Sequence, residues 1–280
     1  MELKKGAAEF HWNLLKYSTP LPEYRSLCIH VGKWTGTSLV SSPSPLVLFT
    51  AILHAMLGWL TICQEALQHR DILQILWAHY PYRKPCRLLC SGFIIDGDMA
   101  VDWKTYFDAN HDGTRSGTPE FMSVTLRESL YLPMTYVQST VDDLASFYYV
   151  GQWAAVFNPS HQSDMLEELR NRIAGSLASR EFATRIVHRL DPDLSSHRQE
   201  YGLFLQCCQP ILKEWYDSID SLDRRFLRVT EELTAHSDGK IDPNTYRSLF
   251  LSFSYHGVAD FAQILERHGA SLASYDKMNS

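Results

Sequence analysis

The most conspicuous candidate for metal chemistry is the loop "DANHDGTRSGTPEFM", residues 108–122. Four of its residues occupy positions 1, 3, 5 and 6 of an EF-hand calcium loop: Asp108, Asn110, Asp112 and Gly113. An EF-hand also needs a carboxylate at position 12, but Pro119 stands there and Glu120 comes one residue late. Arg115 adds a cation beside the ligands. The spacing therefore argues against calcium, as it does in "TAHSDGKIDPNT", which has Thr at both ends.

Four short pieces follow one another in an order that points to a different chemistry. "HRD" at residues 69–71 comes after a long apolar stretch, and "GFIIDGDMA" ends a predicted strand at Asp96. "GTPEFM" contains Thr118, and "DDLASFYYVGQW" opens a predicted buried helix in which Asp143 is the second residue. Each piece alone is weak evidence. Together, in this order and at these distances, they resemble the C-terminal lobe of a protein kinase.

The resemblance is closest to the fungal-type protein kinases, which typically read HRDIS, IDFDLA, GTLPFM and DLESFFYV. The counterparts here are "HRDI", "IDGDMA", "GTPEFM" and "DLASFYYV". The resemblance covers residues 24–235 and implies a mainly α-helical fold, a kinase-like C-terminal lobe with little β structure. Residues 1–23 would be an N-terminal segment and residues 236–280 a helical extension. The loop 108–122 would be the activation segment, with Thr118 bonded to the catalytic loop.

The resemblance also implies a role for each matching residue. Asp71 would orient the attacking hydroxyl and accept its proton, as phosphoryl transfer requires. Arg70 would hold the activation segment, and His69 would be a packed structural residue. Asp96 would bind magnesium, so the implied cofactors are ATP and Mg. Asp143 would accept backbone hydrogen bonds from the catalytic loop.

Several positions depart from the kinase pattern. The second magnesium ligand of kinases is an Asn five residues after the catalytic Asp, and that position is Leu76. Gln74 would align there instead if two residues were deleted, which makes it a candidate nucleotide-site residue. The triplet at residues 96–98 is Asp-Gly-Asp, so the usual aromatic residue is lost. The Glu that closes the activation segment in ordinary kinases aligns near Thr125.

The stretch before His69 is too short for the N-terminal lobe of a kinase together with the hinge and the apolar helix. It contains no Gly-rich loop and no VAIK-like Lys, and "GKWTGTS" lacks the spacing of a phosphate loop. Phosphoryl transfer is catalysed mostly by positioning and charge stabilisation, so loss of these contacts should slow it by many orders of magnitude. We therefore expect a truncated, weakly active or inactive chain.

Three interpretations remain open. The first is a fungal-type kinase, in truncated form, that transfers phosphate from ATP to protein Ser or Thr. The Ser/Thr preference follows from the family alone, because Leu73 replaces the Lys that marks many such kinases. The second is a catalytically dead pseudokinase that binds a protein partner. The third is a membrane-tethered helical protein.

The third interpretation rests on residues 46–63, which contain no charged side chain and could span a bilayer as a helix. Polar or small residues recur along this stretch and just beyond it at steps of three and four: Thr50, His54, Gly58, Thr61, Glu65 and Gln68. Such a stripe favours a buried helix of a globular domain with one less buried face. Ser44 is a plausible N-cap, with Pro45 in the first turn.

Other patterns predict further helices and few strands. Apolar residues repeat on one predicted helix face: Trp215, Ile219, Leu222, Phe226, Val229 and Leu233. "SDMLEELRNRIAGSLAS" predicts another helix, and "GFIID" at 92–96 is the best strand signal. The polar segments 158–163 and 234–244 are predicted loops.

Composition excludes some function classes. The net charge is −6, and no run of Lys and Arg could follow a phosphate backbone, so no nucleic-acid partner is expected. The start "MELKKGAAEFHWNLLKY" lacks the apolar core of a secretory signal, so an intracellular protein is expected. The six cysteines are interpreted as free thiols.

Overall fold

Helices dominate the part of the chain that the computed structural model describes, which confirms the mainly α fold. The structure describes residues 36–65, 67–68, 70, 72, 75–79, 90–94, 101–102, 117–131, 136–159, 180–181, 183–184, 187, 202–236 and 241–279. All of them belong to one unit, Gly36–Ser280. The helices are α1 (Pro45–Gln64), α2 (Val124–Ser129), α3 (Thr140–Val156), α4 (Leu203–His236) and α5 (Pro243–Asn279).

The described strands are short and form two antiparallel sheets. They are β1 (Thr37–Ser38), β2 (Leu67–Gln68), β3 (Ile75–His79), β4 (Cys90–Ile94) and β5 (Val101–Asp102). The strand β3 lies between β1 and β4 in a three-stranded sheet, and β2 pairs with β5. The strand predicted at 92–96 is present, but it begins at Cys90 and ends at Ile94. The prediction of little β structure is confirmed for the described residues.

Helix α1 is the apolar helix predicted from the sequence. The Ser44 hydroxyl accepts a hydrogen bond from the Val47 amide at 3.4 Å, so the predicted N-cap is confirmed. The predicted stripe is the less buried face: Thr50 and His54 are half-buried, while Gly58 is exposed. Of the described helices, α1 alone is long and apolar enough to cross a membrane, with a mean hydropathy of 2.1 and half of that window buried. Its packing against β4, α3 and α5 is that of a core helix.

Helix α3 lies at the centre of the helical core. Every residue of α3 except Trp153 is buried, which confirms the buried helix predicted from "DDLASFYYVGQW". It begins with a capping box. The Ser139 hydroxyl accepts a hydrogen bond from a backbone amide of the first turn, and the Asp142 carboxylate accepts one from the Ser139 amide. The helices α1, α4 and α5 pack around it.

Helices α4 and α5 pack along each other and close the core. Trp215 on α4 stacks against Phe261 on α5, with ring centroids 4.1 Å apart. The apolar face predicted on α4 is buried from Trp215 to Phe226, and its last two members are half-buried. The predicted loop 234–244 is wrong at both ends, since α4 continues to His236 and α5 begins at Pro243. Asp242 accepts from the Thr245 amide at 3.1 Å, so this acid of the second calcium-like loop caps α5.

Candidate functional site

Two strand pairs bring together the ends of the two segments that contain the predicted catalytic acids. Strand β2 ends directly before "HRD", and β5 begins directly after "IDGDMA"; in their ladder Gln68 pairs with Val101. Strand β3 follows the first segment and β4 precedes the second, and Ile75 pairs with Ile94. The two acid-bearing segments are therefore bounded at both ends by strands that pair with each other.

The predicted residues within these two segments are described only in part. His69, Asp71, Gln74 and Asp96 lie outside the residues that the structure describes. Their catalytic, nucleotide-binding and metal-binding roles stay predictions. The neighbours of Asp71 are described, and both are buried: Arg70 is 6% exposed and Ile72 is 1% exposed.

The backbone of Arg70 adopts an unusual conformation that a distant carboxylate holds in place. Its φ is 69°, in the left-handed region that residues other than Gly rarely adopt. The Arg70 amide donates to Asp143 Oδ1 at 3.1 Å, and Trp59 Nε1 donates to Asp143 Oδ2 at 3.0 Å. Backbone strain of this kind costs on the order of 1–3 kcal/mol and is frequent at functional sites. Asp143 thus accepts a backbone hydrogen bond from the residue directly before Asp71.

The Arg70 side chain pairs reciprocally with Gln138, which lies just before α3. Arg70 Nε donates to Gln138 Oε1 at 3.3 Å, and Gln138 Nε2 donates to the Arg70 carbonyl at 2.9 Å. These bonds tie Arg70 to the start of α3. Its predicted role in holding the activation segment stays a prediction.

The end of the predicted activation segment passes close to Arg70. Gly117 has φ 144°, and a Cβ built on it would lie 3.5 Å from the Arg70 carbonyl oxygen. The carbonyl of Thr118 accepts from the amides of Phe121 and Met122, at 2.8 and 3.1 Å. Residues 117–122 thus form a tight turn beside Arg70, a conformation that only Gly adopts without strain at position 117. The bond predicted from Thr118 to the catalytic loop stays a prediction.

Asp142 is a connecting residue that the sequence interpretation missed. Its carboxylate accepts from Ser123 Oγ at 2.5 Å, Tyr136 Oη at 2.8 Å and the Ser139 amide at 2.6 Å. Burial raises the pKa of Asp142 from 3.8 to about 6, against the opposing effect of these hydrogen bonds. The spacing Ser139-x-x-Asp142 at the start of a helix was the available signal, as it resembles a capping box. Asp142 therefore joins Ser123, which directly follows the predicted activation segment, to α3.

The metal chemistry implied by the resemblance depends on residues beyond the described part. Within the described residues, no group of three or more His, Cys, Asp or Glu side chains could hold a metal ion. The predicted oxygen donors are a carboxylate, Asp96, and a side-chain amide, Gln74, and magnesium prefers such oxygen ligands. The donor types therefore fit a magnesium ion. The calcium-like loop 108–116 also lies outside the described residues.

The class of protein follows from the comparison with known families. A family model described as fungal protein kinase matches residues 4–155. The match covers more than half of the chain and contains all four motif pieces, so the chain belongs to the fungal protein kinase family. The resemblance predicted from the motifs is confirmed. No curated protein and no solved structure matches the chain.

Proposed function

We propose that the protein transfers phosphate from ATP to Ser or Thr hydroxyls of a protein acceptor, with Asp71 as the base and with the weak activity that its departures from the kinase pattern imply. The observation that supports this most strongly is the hydrogen bond from the Arg70 amide to Asp143 Oδ1, at 3.1 Å. It fixes the backbone directly before Asp71, in a left-handed conformation that is otherwise unfavourable. The buried side chain of Ile72 fixes the backbone on the other side.

A base needs this kind of fixed support, because proton transfer requires it to stay within hydrogen-bond reach of the acceptor hydroxyl. Asp71 would orient that hydroxyl and accept its proton. Asp96 and Gln74 would hold magnesium and the phosphates. When bound, Mg·ATP supplies the phosphoryl group and the positive charge that offsets its anionic oxygens. The turn at residues 117–122 would support the acceptor.

This function also implies a compartment. Phosphoryl transfer from ATP requires an environment that supplies ATP and Mg, so we place the protein inside the cell. The acceptor would be another protein, and nothing in the charge distribution favours a nucleic-acid partner.

A second candidate function is a pseudokinase that binds a protein without transferring phosphate. Leu76 occupies the position of the second metal ligand, and it lies in β3, where it pairs with Phe93 of β4. A leucine side chain supplies no oxygen ligand to a metal. The Asp-Gly-Asp triplet at 96–98 also lacks the aromatic residue of ordinary kinases. These departures favour reduced or absent catalysis.

The test is phosphate transfer from radiolabelled ATP, with Mg, to the chain itself and to a mixture of protein acceptors. Wild type is compared with Asp71→Asn and with a matched control, Asp276→Asn, an exposed acid near the end of α5. The proposal predicts label transfer by wild type and the control and none by Asp71→Asn. Equal labelling by all three would contradict the role of Asp71.

A parallel thermal-shift measurement separates the two candidates. Mg·ATP should raise the Tm of wild type, because a ligand that binds only the folded state stabilises it, and Asp96→Asn should lose that shift. A Tm that is insensitive to Mg·ATP, together with absent transfer, would exclude the kinase function and leave the pseudokinase.

A further inference from the structure

We infer that two residues from the C-terminal half, Arg180 and Asp223, position the end of the activation segment and the helix α2 that follows it. We call residues 117–129 the platform segment. Its proposed role in supporting the protein acceptor rests on the proposed function. Both positioning residues lie beyond residues 4–155, the part that the family model matches.

The platform segment has well-defined internal bonds but little core of its own. Ser123 caps α2, since its hydroxyl accepts from the Leu126 amide at 2.9 Å. Met122 and Leu126 are buried, with 4% and 1% exposure. The turn before them is closed by the Thr118 carbonyl. A six-residue helix such as α2 is too short to be stable alone, so contacts with other elements must hold it.

Arg180 supplies the first such contact. Its Nη1 lies 2.5 Å from the Met122 carbonyl oxygen and 3.5 Å from that of Pro119. Its guanidinium carbon lies 3.6 Å from the ring centroid of Tyr149 on α3. Arg180 therefore bridges the platform segment and the central helix.

Arg180 is buried, so its positive charge depends on these contacts for compensation. The residue is only 6% exposed, and burial lowers its pKa from the ordinary value. In the described part of the chain, no carboxylate lies within salt-bridge distance of it. A buried cation needs compensation, and here the described compensation comes from two carbonyls and an aromatic ring. Loss of Arg180 would leave the Met122 carbonyl without this charged donor.

Asp223 on α4 supplies the second contact. The hydroxyl of Thr125 in α2 donates to Asp223 Oδ2 at 2.9 Å. Burial raises the pKa of Asp223, and the bond from Thr125 opposes that shift. Thr125 stands near the position where ordinary kinases have the Glu that closes the activation segment. The acid is thus on α4, and the platform segment provides the donor.

These contacts divide the support of the platform segment among three elements. Asp142 holds Ser123 from α3, Arg180 holds the preceding turn, and Asp223 holds α2. None of these three contacts involves a covalently modified side chain. Arg180 and Asp223 would act on acceptor binding through the platform segment, so they are positioning residues.

The test is hydrogen–deuterium exchange of the whole chain, read by mass spectrometry on peptides from residues 117–131 and from α5. The variants are Arg180→Gln and Thr125→Val, which removes the hydroxyl at constant shape. The matched controls are Thr125→Ser, which keeps the donor, and Arg228→Gln, which removes the charge of an exposed arginine on α4. Both variants should speed exchange in 117–131 about tenfold, because each loses a hydrogen bond to a charged group. Peptides of α5 and both controls should stay at the wild-type rate.

Unchanged exchange in 117–131, or an equal rise in the α5 peptides, would overturn the inference. If Arg180→Gln does not fold, Thr125→Val and its Ser control decide the result alone. The exchange measurement needs no nucleotide, so its failure is distinguishable from the absence of phosphate transfer in wild type, which would overturn the proposed function instead.

Discussion

The Asp143 carboxylate accepts a hydrogen bond from the backbone amide of Arg70 at 3.1 Å, and the two residues lie 73 positions apart in the sequence. The other oxygen of the same carboxylate accepts from Trp59, so Asp143 joins α1, α3 and the segment that contains Asp71. Asp143 is 1% exposed. One buried carboxylate thus fixes a left-handed backbone residue beside the proposed catalytic base.

Replacing Asp143 with Ala should therefore destabilise the fold. The Arg70 amide and Trp59 Nε1 would each lose their acceptor in a buried site, at about 1–3 kcal/mol apiece. We expect the free energy of unfolding in urea to fall by about 3 kcal/mol or more. Asp276→Ala, on the exposed surface, is the control and should change it little. A loss no larger than that of the control would contradict the anchoring role of Asp143.

A smaller and separable effect is expected from Trp59→Phe. Phe keeps most of the apolar contact with Phe147, whose ring centroid lies 5.7 Å away, but it removes one donor from Asp143. The expected destabilisation is about 2 kcal/mol, because a buried carboxylate then lacks one bond. A double-mutant cycle with Asp143→Asn measures the coupling. Additive losses in that cycle would show that the two side chains do not interact.

The pH dependence of stability should report on Asp142. Its pKa is raised in the folded state, from 3.8 to about 6, so the folded state binds the proton more tightly than the unfolded state. The contribution of this group to stability is therefore fully present below about pH 4 and is lost as the pH rises through about 6.

The comparison with Asp142→Asn isolates this contribution, since Asn can still accept from the Ser139 amide and donate to the two hydroxyls. The neighbouring titratable groups, Tyr136 and Asp223, remain in both proteins. Between pH 4 and 7, wild type should lose stability relative to the Asn variant by up to about 3 kcal/mol. Urea unfolding at several pH values measures it, and a constant difference between the two proteins would refute the prediction.

Two glycines should respond in opposite directions to Ala. A Cβ on Gly92 of β4 would lie 1.7 Å from the Ala51 carbonyl oxygen of α1, and backbone cannot yield cheaply. We expect Gly92→Ala to cost about 3 kcal/mol or more. Gly58→Ala, on the exposed face of α1 with open space around it, should stabilise the protein by about 0.5–1 kcal/mol. Thermal unfolding measures both, and a neutral Gly92→Ala would contradict the packing of β4 on α1.

The sequence predicted the features that arise from local patterns. Ser44 and Pro45 indicated the start of α1, and the steps of three and four among Thr50, His54 and Gly58 predicted its less buried face. The motif order predicted the family and the mainly α fold. These signals depend on residues close in sequence, where helix geometry relates spacing to position.

Long-range features could not be predicted in the same way. The strands β2 and β5 have two residues each, too few for an alternating pattern, so their pairing left no signal. Arg180 meets Met122 across 58 positions of sequence, and nothing near Arg180 indicates a carbonyl as its partner. The Asp142 network required knowing that Ser123 and α3 are adjacent. Such partners are set by tertiary packing, which spacing in one sequence does not determine.

The most direct test of the central claim is the rate of phosphate transfer by wild type beside Asp143→Asn, under Mg·ATP and with the same protein acceptors. If Asp143 and Arg70 hold the catalytic base, Asp143→Asn should lower the rate about a hundredfold, since small displacements of a catalytic group cost that much, and leave the affinity for Mg·ATP unchanged. Equal rates in the two proteins, whether both are active or both silent, would contradict the claim.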